Sequence, residues 1–524
     1  MTLVSRLITR RGDESCHGVA LVAGADGRQM TWGDLAGHAR QWSSLVAERR
    51  LTPRSRVGLV VDDPLTFSAA YLGCLSAGLA AVPLDPRGSG DELAGAVSRL
   101  RVDVLLTDRG DILEAASEIE LWGIASRGPS IVSSAPIGPR PADGVPLRPA
   151  ALLASSGTTG DPKGIPLSEY QLLHAARRIA RHHLIGPDDR GYTPLPLFHV
   201  NAQVVGLLTT LVSGSSLVVD RRFVGAEYWD RVAHWRPTWL NTVPAVLAAL
   251  LDQGPPPQSV SDGVRFARSA SAPLPLSVLR RFEDHTGIGV LETYGMTEAA
   301  SQVTANPVDR SQRHPGSVGR AVGIGLAIVS ENGRAAQSGE VGEVRLTGSP
   351  VVSHYIRLSE TGPETLWPAR DEWGWLSTGD LGLRDADGLV HLVGRTDDVV
   401  NRGGEKLYPR EVEEVLLTHP DVVSVAVVPA PHPKLGQVPV AFVTARPQRP
   451  DQSIRDTGTP DIGASDGPPP HPLADQLHQL CRTRLTRYKW PTEIHVAASL
   501  PTGPTGKILR RHLRAAVALA ETST

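Results

Sequence analysis

The early part of the chain alternates short apolar runs with amphipathic stretches. Arg56-Val-Gly-Leu-Val-Val61 is followed by Leu65 to Ala77, Ala80-Ala-Val-Pro-Leu84, Leu93 to Leu100 and Val102-Asp-Val-Leu-Leu-Thr107. In that order they predict strand, helix, strand, helix, strand, the rhythm of a mainly parallel sheet with crossover helices. A comparable alternation continues to about residue 310. From Gly316 to Val393 the texture changes to short strands broken by turns, as in Gly342-Glu-Val-Arg-Leu-Thr-Gly348. Leu381-Gly-Leu-Arg-Asp385 and Leu389-Val-His-Leu-Val393 straddle Asp387-Gly388, a hairpin signal. Residues of about 311–396 therefore read as a small antiparallel barrel or sheet appended to the α/β body.

A boundary is expected at Asp397. Beyond it Val412, Val415 and Leu416 recur at helical spacing within Arg410 to Leu417, and Val422 to Val428 alternates as a strand should. Residues 446–472 carry seven prolines and no periodicity, and read as a surface insertion without chemistry. The expected architecture is α/β: an N-terminal body over 1–396, then a smaller α+β C-terminal domain over 397–524.

A length of 524 residues exceeds what one hydrophobic core usually serves, in keeping with two domains. The net charge of -2 gives no footprint for nucleic acid or an anionic membrane. Cys16, Cys74 and Cys481 are far apart and odd in number, so neither a disulfide framework nor a CxxC metal site is expected, and a reducing cytoplasm is the default. The first residues lack the apolar core of a signal peptide, and no apolar run reaches the roughly 18 residues of a membrane span. Monomer and homodimer both remain open.

Lysine is the informative residue: the chain has five, against 48 arginines. Three of the five lie in glycine-containing motifs: Lys163 in Ser155-Ser-Gly-Thr-Thr-Gly-Asp-Pro-Lys-Gly164, Lys406 in Gly403-Gly-Glu-Lys406, and Lys507 in Thr502-Gly-Pro-Thr-Gly-Lys507. A mobile ammonium on a flexible backbone suits phosphate and carboxylate chemistry. The loop from Ser155 to Gly164 follows the apolar Ala151-Leu-Leu-Ala154 and precedes a helix beginning near Ser168, with Gln171 at capping-box spacing. Its Ser156, Gly157, Thr158, Thr159 and Gly160 let N–H and hydroxyl groups converge on phosphate oxygens. A Walker A loop is disfavoured, because Pro162 precedes Lys163 and Gly164 follows it.

With this loop the chain resembles the adenylate-forming superfamily of acyl-CoA synthetases, nonribosomal adenylation domains and luciferases. Five further motifs recur in the family's order: Pro196-Leu-Phe-His-Val-Asn201, Glu292-Thr293-Tyr294-Gly295-Met296-Thr297-Glu298, Ser377-Thr-Gly-Asp380, Gly394-Arg-Thr-Asp397 and Pro501-Thr-Gly-Pro-Thr-Gly-Lys507. The resemblance covers nearly the whole chain. It implies attack of a carboxylate on the α-phosphate of ATP, giving acyl-adenylate and pyrophosphate, then displacement of AMP by a thiol, commonly coenzyme A. By resemblance, Thr158, Thr159 and Lys163 cradle the β- and γ-phosphates and Glu298 holds Mg²⁺. Tyr294 stacks on adenine against Ser271, Ala272 and Pro273. Asp380 binds the ribose hydroxyls, Arg395 holds ribose or phosphate, and His199 gates the carboxylate pocket. Lys507 pairs with the carboxylate and α-phosphate, Asp397 is the hinge of the small domain, Gly404 lines the thiol channel, and Lys406 contacts phosphate. Ordinary structural readings compete: a dipole-favoured carboxylate for Glu298, a turn cap for Asp380, a core aromatic for Tyr294.

Asn401 to Pro409, Val415 to Pro420, Gly191 to His199 and Arg313 to Gly319 look closest to oxalyl-CoA synthetases and kindred small-acid CoA ligases. Those enzymes carry histidines where this chain has Asn201 and Ser301. A second substrate carboxylate needs a cationic or strongly donating partner, so a monocarboxylic acid with a neutral tail is expected. Amino-acid activation is disfavoured, since no aspartate stands in the region of His199 to Asn201. Transfer to an acyl carrier protein instead of coenzyme A stays open, as does a non-catalytic adenylate-binding protein on the same fold.

Overall fold

The computed structural model describes residues 1–53, 55–109, 120–125, 128–133, 149–155, 163–357, 364–446, 472–503 and 506–522. Of the expected site residues, Ser156, Gly157, Thr158, Thr159 and Gly160 lie outside these, as does most of the proline-rich insertion, residues 447–471. Two compact units divide the chain. The larger comprises 1–274, 278–378 and 383–391; the smaller comprises 275–277, 379–382 and 392–524.

The larger unit holds two nine-stranded sheets. In the first, Val290–Met296, Phe266–Ser269, Trp239–Thr242, Arg190–Thr193, Ser216–Val219 and Val19–Ala23 run parallel in that spatial order. Antiparallel Ser301–Ala305, then Arg320–Ala321, close one edge, and Gln29–Thr31 closes the other. The second sheet is parallel through Ala151–Ser155, Ala80–Pro83, Arg56–Val60, Val104–Thr107 and Glu120–Ala125. Its antiparallel edges are Gly128–Ser133 on one side and Lys163–Leu167, His354–Arg357 and Thr365–Pro368 on the other. A smaller sheet follows, built from Gly325–Val329, Gly342–Thr347, Leu376–Arg384 and Val390–Arg395.

The helix Pro64–Ala77 illustrates how the sequence sets an element. Asp63 caps its N-terminus by accepting from the Thr66 N–H, Pro64 occupies the first turn, and Gly78 ends it at φ +78. Proline fits that first turn because its missing N–H would have no partner there, and glycine takes the left-handed terminus without a Cβ clash. Nearly every residue of this helix is buried, in keeping with an apolar composition on all sides.

The chain on the far side of residues 156–162 departs from the expectation in one respect. Lys163–Leu167 is a strand that folds back antiparallel on Ala151–Ser155 before the helix Glu169–His182 begins. Ser168 and Gln171 then form the expected capping box. The Gln171 amide also donates to the carbonyls of Pro350 (3.3 Å) and Val351 (3.1 Å), which ties the cap to the neighbouring chain.

In the smaller unit, Val422–His432 and Gly436–Ala445 form a long antiparallel pair, with Glu493–Ala497 parallel to the latter. Val400–Arg402 and Glu405–Leu407 make a short hairpin at its edge. The helices Pro409–Leu416 and Pro472–Arg484 cover the sheet through Val412, Leu416, Leu473, Leu477 and Cys481, packed with Val425, Val427, Ala441 and Val443.

Candidate active site

In the larger unit the parallel strands deliver several motif residues to one level. Ser269 is in register with Glu292, so Ser271 and Tyr294 both stand just past that level, at the C-terminal ends of adjacent strands. Ligands of open α/β sheets bind outside those ends. Ser271 adopts φ +74, a left-handed conformation costly for a serine. The Thr293 hydroxyl donates to the Ser269 carbonyl (3.2 Å), holding the two strand ends together. Gly295 has a steric reason of its own: a Cβ there would lie 1.7 Å from the Ser301 carbonyl oxygen, so the strand Val290–Met296 turns into Thr297–Ala299 only with glycine at this point.

That turn presents Glu298, which is buried. Its Oε1 lies 3.2 Å from the Lys163 ammonium and accepts from the Tyr355 hydroxyl at 3.4 Å. Lys163 also sits 3.8 Å from the centroid of the Tyr355 ring, a cation–π contact. Burial, then the Glu298 charge, pushes the Tyr355 phenol up, so it stays a neutral donor. Sequence reasoning missed Tyr355; no motif surrounds it. Lys163 and Glu298 are thus mutual partners, each able to exchange the other for a phosphate oxygen or a metal ion. Magnesium fits this donor set. Among the described residues no group of three or more potential ligands occurs, and Mg²⁺ is typically held by one or two carboxylates together with substrate phosphates.

His199 lies beside Phe198, the ring centroids 4.4 Å apart, and its Nε2 is buried without a hydrogen-bond partner. Burial lowers its pKa to about 4; nearby Asp85 opposes that shift and Arg87 adds to it. The imidazole is neutral at pH 7. Asn201 donates to the Ser271 hydroxyl (3.2 Å), while its carbonyl oxygen accepts from Asn241 (3.2 Å) and Arg268 (3.4 Å). A wider, π-helical turn, Ala202–Leu208, follows directly, a feature often found at functional sites.

The smaller unit holds the remaining motif residues. Arg395 and Asp380 form an ion pair at 3.2 Å. Gly379, at φ +71, leaves room for the guanidinium, which would stand 3.0 Å from a Cβ at that position. Near Lys507 the Gly503 N–H donates to the Lys507 carbonyl (2.8 Å), and Gly506 has φ +76. Its side chain keeps solvent contact although protein crowds it. That crowding, then the Arg395 charge, lowers the ammonium pKa, while Asp380 and Asp398 raise it. Lys507 therefore shares an electrostatic environment with Asp380 and Arg395, although more than a hundred residues separate them in sequence. Asp397 lies in the short turn Thr396–Asp398, its carbonyl accepting from Arg514 (2.7 Å). Gly404 has φ +94 and donates to Asn401 Oδ1 (3.1 Å), and Lys406 lies in the facing strand of that hairpin.

Comparison with known proteins gives the family. The AMP-binding enzyme family matches residues 8–356, and the AMP-binding enzyme C-terminal domain matches residues 411–507. The chain belongs to the AMP-binding enzymes. Within that family it is 40% identical to a sulfoacetate–CoA ligase of Cupriavidus necator over 70% of this chain and 67% of the relative. It is 31% identical to an oxalate–CoA ligase of Arabidopsis thaliana over 90% of each. Among solved structures, ATP-bound MatB from Rhodopseudomonas palustris superposes with a TM-score of 0.81 at 26% identity, covering 98% of this chain and 99% of that one. The α/β fold with a separate C-terminal part is that of these adenylating enzymes. No helix among the described residues is long and apolar enough to cross a membrane.

Proposed function

We propose that this AMP-binding enzyme is an ATP-dependent acid:CoA ligase. It joins a small carboxylic acid to AMP with release of pyrophosphate, then passes the acyl group to coenzyme A. The observation that carries the reading is the Lys163–Glu298 contact at 3.2 Å, a buried carboxylate for Mg²⁺ beside an ammonium for phosphate. Bound Mg²⁺ would neutralise charge on the phosphate oxygens, with Glu298 as its protein ligand.

This chain's own residues then have distinct tasks. Thr158, Thr159 and Lys163 hold the β- and γ-phosphates, with Ser155, Ser156, Gly157 and Gly160 shaping the loop. Tyr294 and the segment Ser271, Ala272, Pro273 flank adenine. Asp380 accepts from the ribose hydroxyls, and Arg395, paired to it at 3.2 Å, holds ribose or phosphate. Lys507 neutralises the charge that grows as the acid attacks phosphorus. Neutral His199 closes the acid pocket. The part from Asp397 onward turns about that residue between the two half-reactions, bringing Gly404 and Lys406 into play for the second. The cytoplasm is the setting that this chemistry and the cysteine usage favour.

The experiment is pyrophosphate release on mixing protein, ATP, Mg²⁺ and a panel of carboxylic acids, with and without coenzyme A. Release with acyl-CoA formation supports the proposal. Release with acyl transfer only to a carrier protein would favour a stand-alone acyl-AMP ligase, and silence across the panel a non-catalytic protein.

A further inference from the structure

Arg268 stands in the strand Phe266–Ser269 with 1% of its surface exposed. Among the described residues the three side chains that accept from it are neutral amides: Asn241 Oδ1 at 3.3 Å, Asn201 Oδ1 at 3.4 Å and Gln302 Oε1 at 3.4 Å. Its Nε is buried with no acceptor. Among the described residues no carboxylate pairs with it, and burial alone lowers its pKa, to about 9. The guanidinium is therefore charged at pH 7 and unbalanced. Nearby buried Glu292 is no counter-ion: it is in register with Ser269, so it shares that residue's face of the sheet, whereas Arg268 shares a face with Asn241 and Leu291. The charge is felt locally. Neighbouring His183, fully buried, is held neutral by that burial and by the Arg268 charge.

A buried cation without an anion is costly, and an apolar residue of similar volume would be better tolerated. Contacts of 3.3–3.4 Å to amides are long for a guanidinium, whose bonds to an anion run near 2.7–2.9 Å. The missing partner is best supplied from outside the chain. Location says by what. Asn201 links Arg268 to the Ser271 hydroxyl, and it lies two residues beyond His199, whose Nε2 has no partner. Both belong to the acid end of the proposed site.

We propose that Arg268, with Asn201 beside it, receives a second anionic group on the acid, so that the substrate class is a short acid bearing a carboxylate or sulfonate besides the carboxylate that is activated. This rests on the ligase reading above and reverses the expectation of a neutral tail. That expectation looked for the cation at positions 201 and 301; the strand behind Asn201 supplies it instead. The amide shell keeps the guanidinium solvated until the anion displaces its long contacts.

The test uses matched acids: malonate against malonamate, and sulfoacetate against methylsulfonylacetate, the second of each pair being a monoanion of the same size with a neutral tail. Pyrophosphate release by the full-length wild type gives kcat/KM for each, and at least one dianion should exceed its partner by about 100-fold or more, because a site built for a polar group rejects the analogue lacking it. In Arg268→Met that ratio should collapse toward one, chiefly through KM for the dianion, and Arg268→Lys should restore part of it. Equal or better use of the neutral-tailed acids by wild type would overturn the inference while leaving the ligase reading intact, whether or not the variants fold. An equal loss on both members in Arg268→Met would also overturn it, pointing to a structural role. Silence on all four acids with release on other members of the carboxylic-acid panel would overturn the inference alone; silence on the whole panel would overturn the ligase reading, and the inference with it.

Discussion

At the scale of single residues, function in this chain depends on which charges are already matched and which are not. Glu298 and Lys163 satisfy each other, and Asp380 and Arg395 do likewise. Among the residues of the sequence motifs, burial lowers the pKa of both Lys507 and His199. Lys507→Ala should slow pyrophosphate release by about 10²–10³-fold, the usual effect of removing a group that stabilises transition-state charge. It should leave thioester formation from supplied acyl-adenylate largely intact; equal loss of both would contradict the division of labour. For His199 the folded pKa of about 4 lies below the ordinary 6.5. The unfolded chain therefore binds the extra proton first, so the stability carried by neutral His199 is present above pH 6.5 and is lost as pH falls toward 4. Urea titrations across that window should show His199→Phe losing less stability than wild type. The lysines and the motif carboxylates were legible in the sequence, because glycine-rich surroundings and fixed order single them out. Arg268 and Tyr355 were not. Each lies in a strand whose text, Phe-Ala-Arg-Ser or His-Tyr-Ile-Arg, reads as ordinary sheet, and only packing shows what lies next to it.

At the scale of elements, local signals worked where caps and breaks coincide. Asp63-Pro64 and Gly78 bracket one helix, and Ser168 with Gln171 opens another, because each meets backbone groups that the helix leaves unbonded. Ser168→Ala should cost about 0.5–2 kcal/mol in a denaturant titration, with no change in the KM for ATP. A larger cost would mean that the Gln171 contacts to Pro350 and Val351 are lost together with the cap. The strand Lys163–Leu167 was illegible for a physical reason. Its Gly164 and Pro166 argue against a strand by propensity, and long-range pairing with Ala151–Ser155 and His354–Arg357 overrides them. Strand order in the two large sheets was likewise hidden, since alternation reports crossovers but not neighbours.

For the whole molecule, the division into a larger and a smaller unit places Lys163, His199, Arg268 and Glu298 in one and Asp380, Arg395 and Lys507 in the other. In the proposed reaction residues of both units serve the first step, and the smaller unit adds Gly404 and Lys406 for the second. Asp397→Pro, which fixes φ at the proposed hinge, should slow acyl-CoA formation more than pyrophosphate release. Stopped-flow traces of the two half-reactions would show it, and equal slowing would remove Asp397 from the hinge role. The most direct test of the account follows one oxygen atom. With the acid labelled by ¹⁸O in its carboxylate, attack on the α-phosphorus and later displacement by the thiol must leave one labelled oxygen on AMP, visible by mass spectrometry. Label in AMP is the expected result. Label in inorganic phosphate, or unlabelled AMP in the presence of acyl-CoA product, would contradict the acyl-adenylate route.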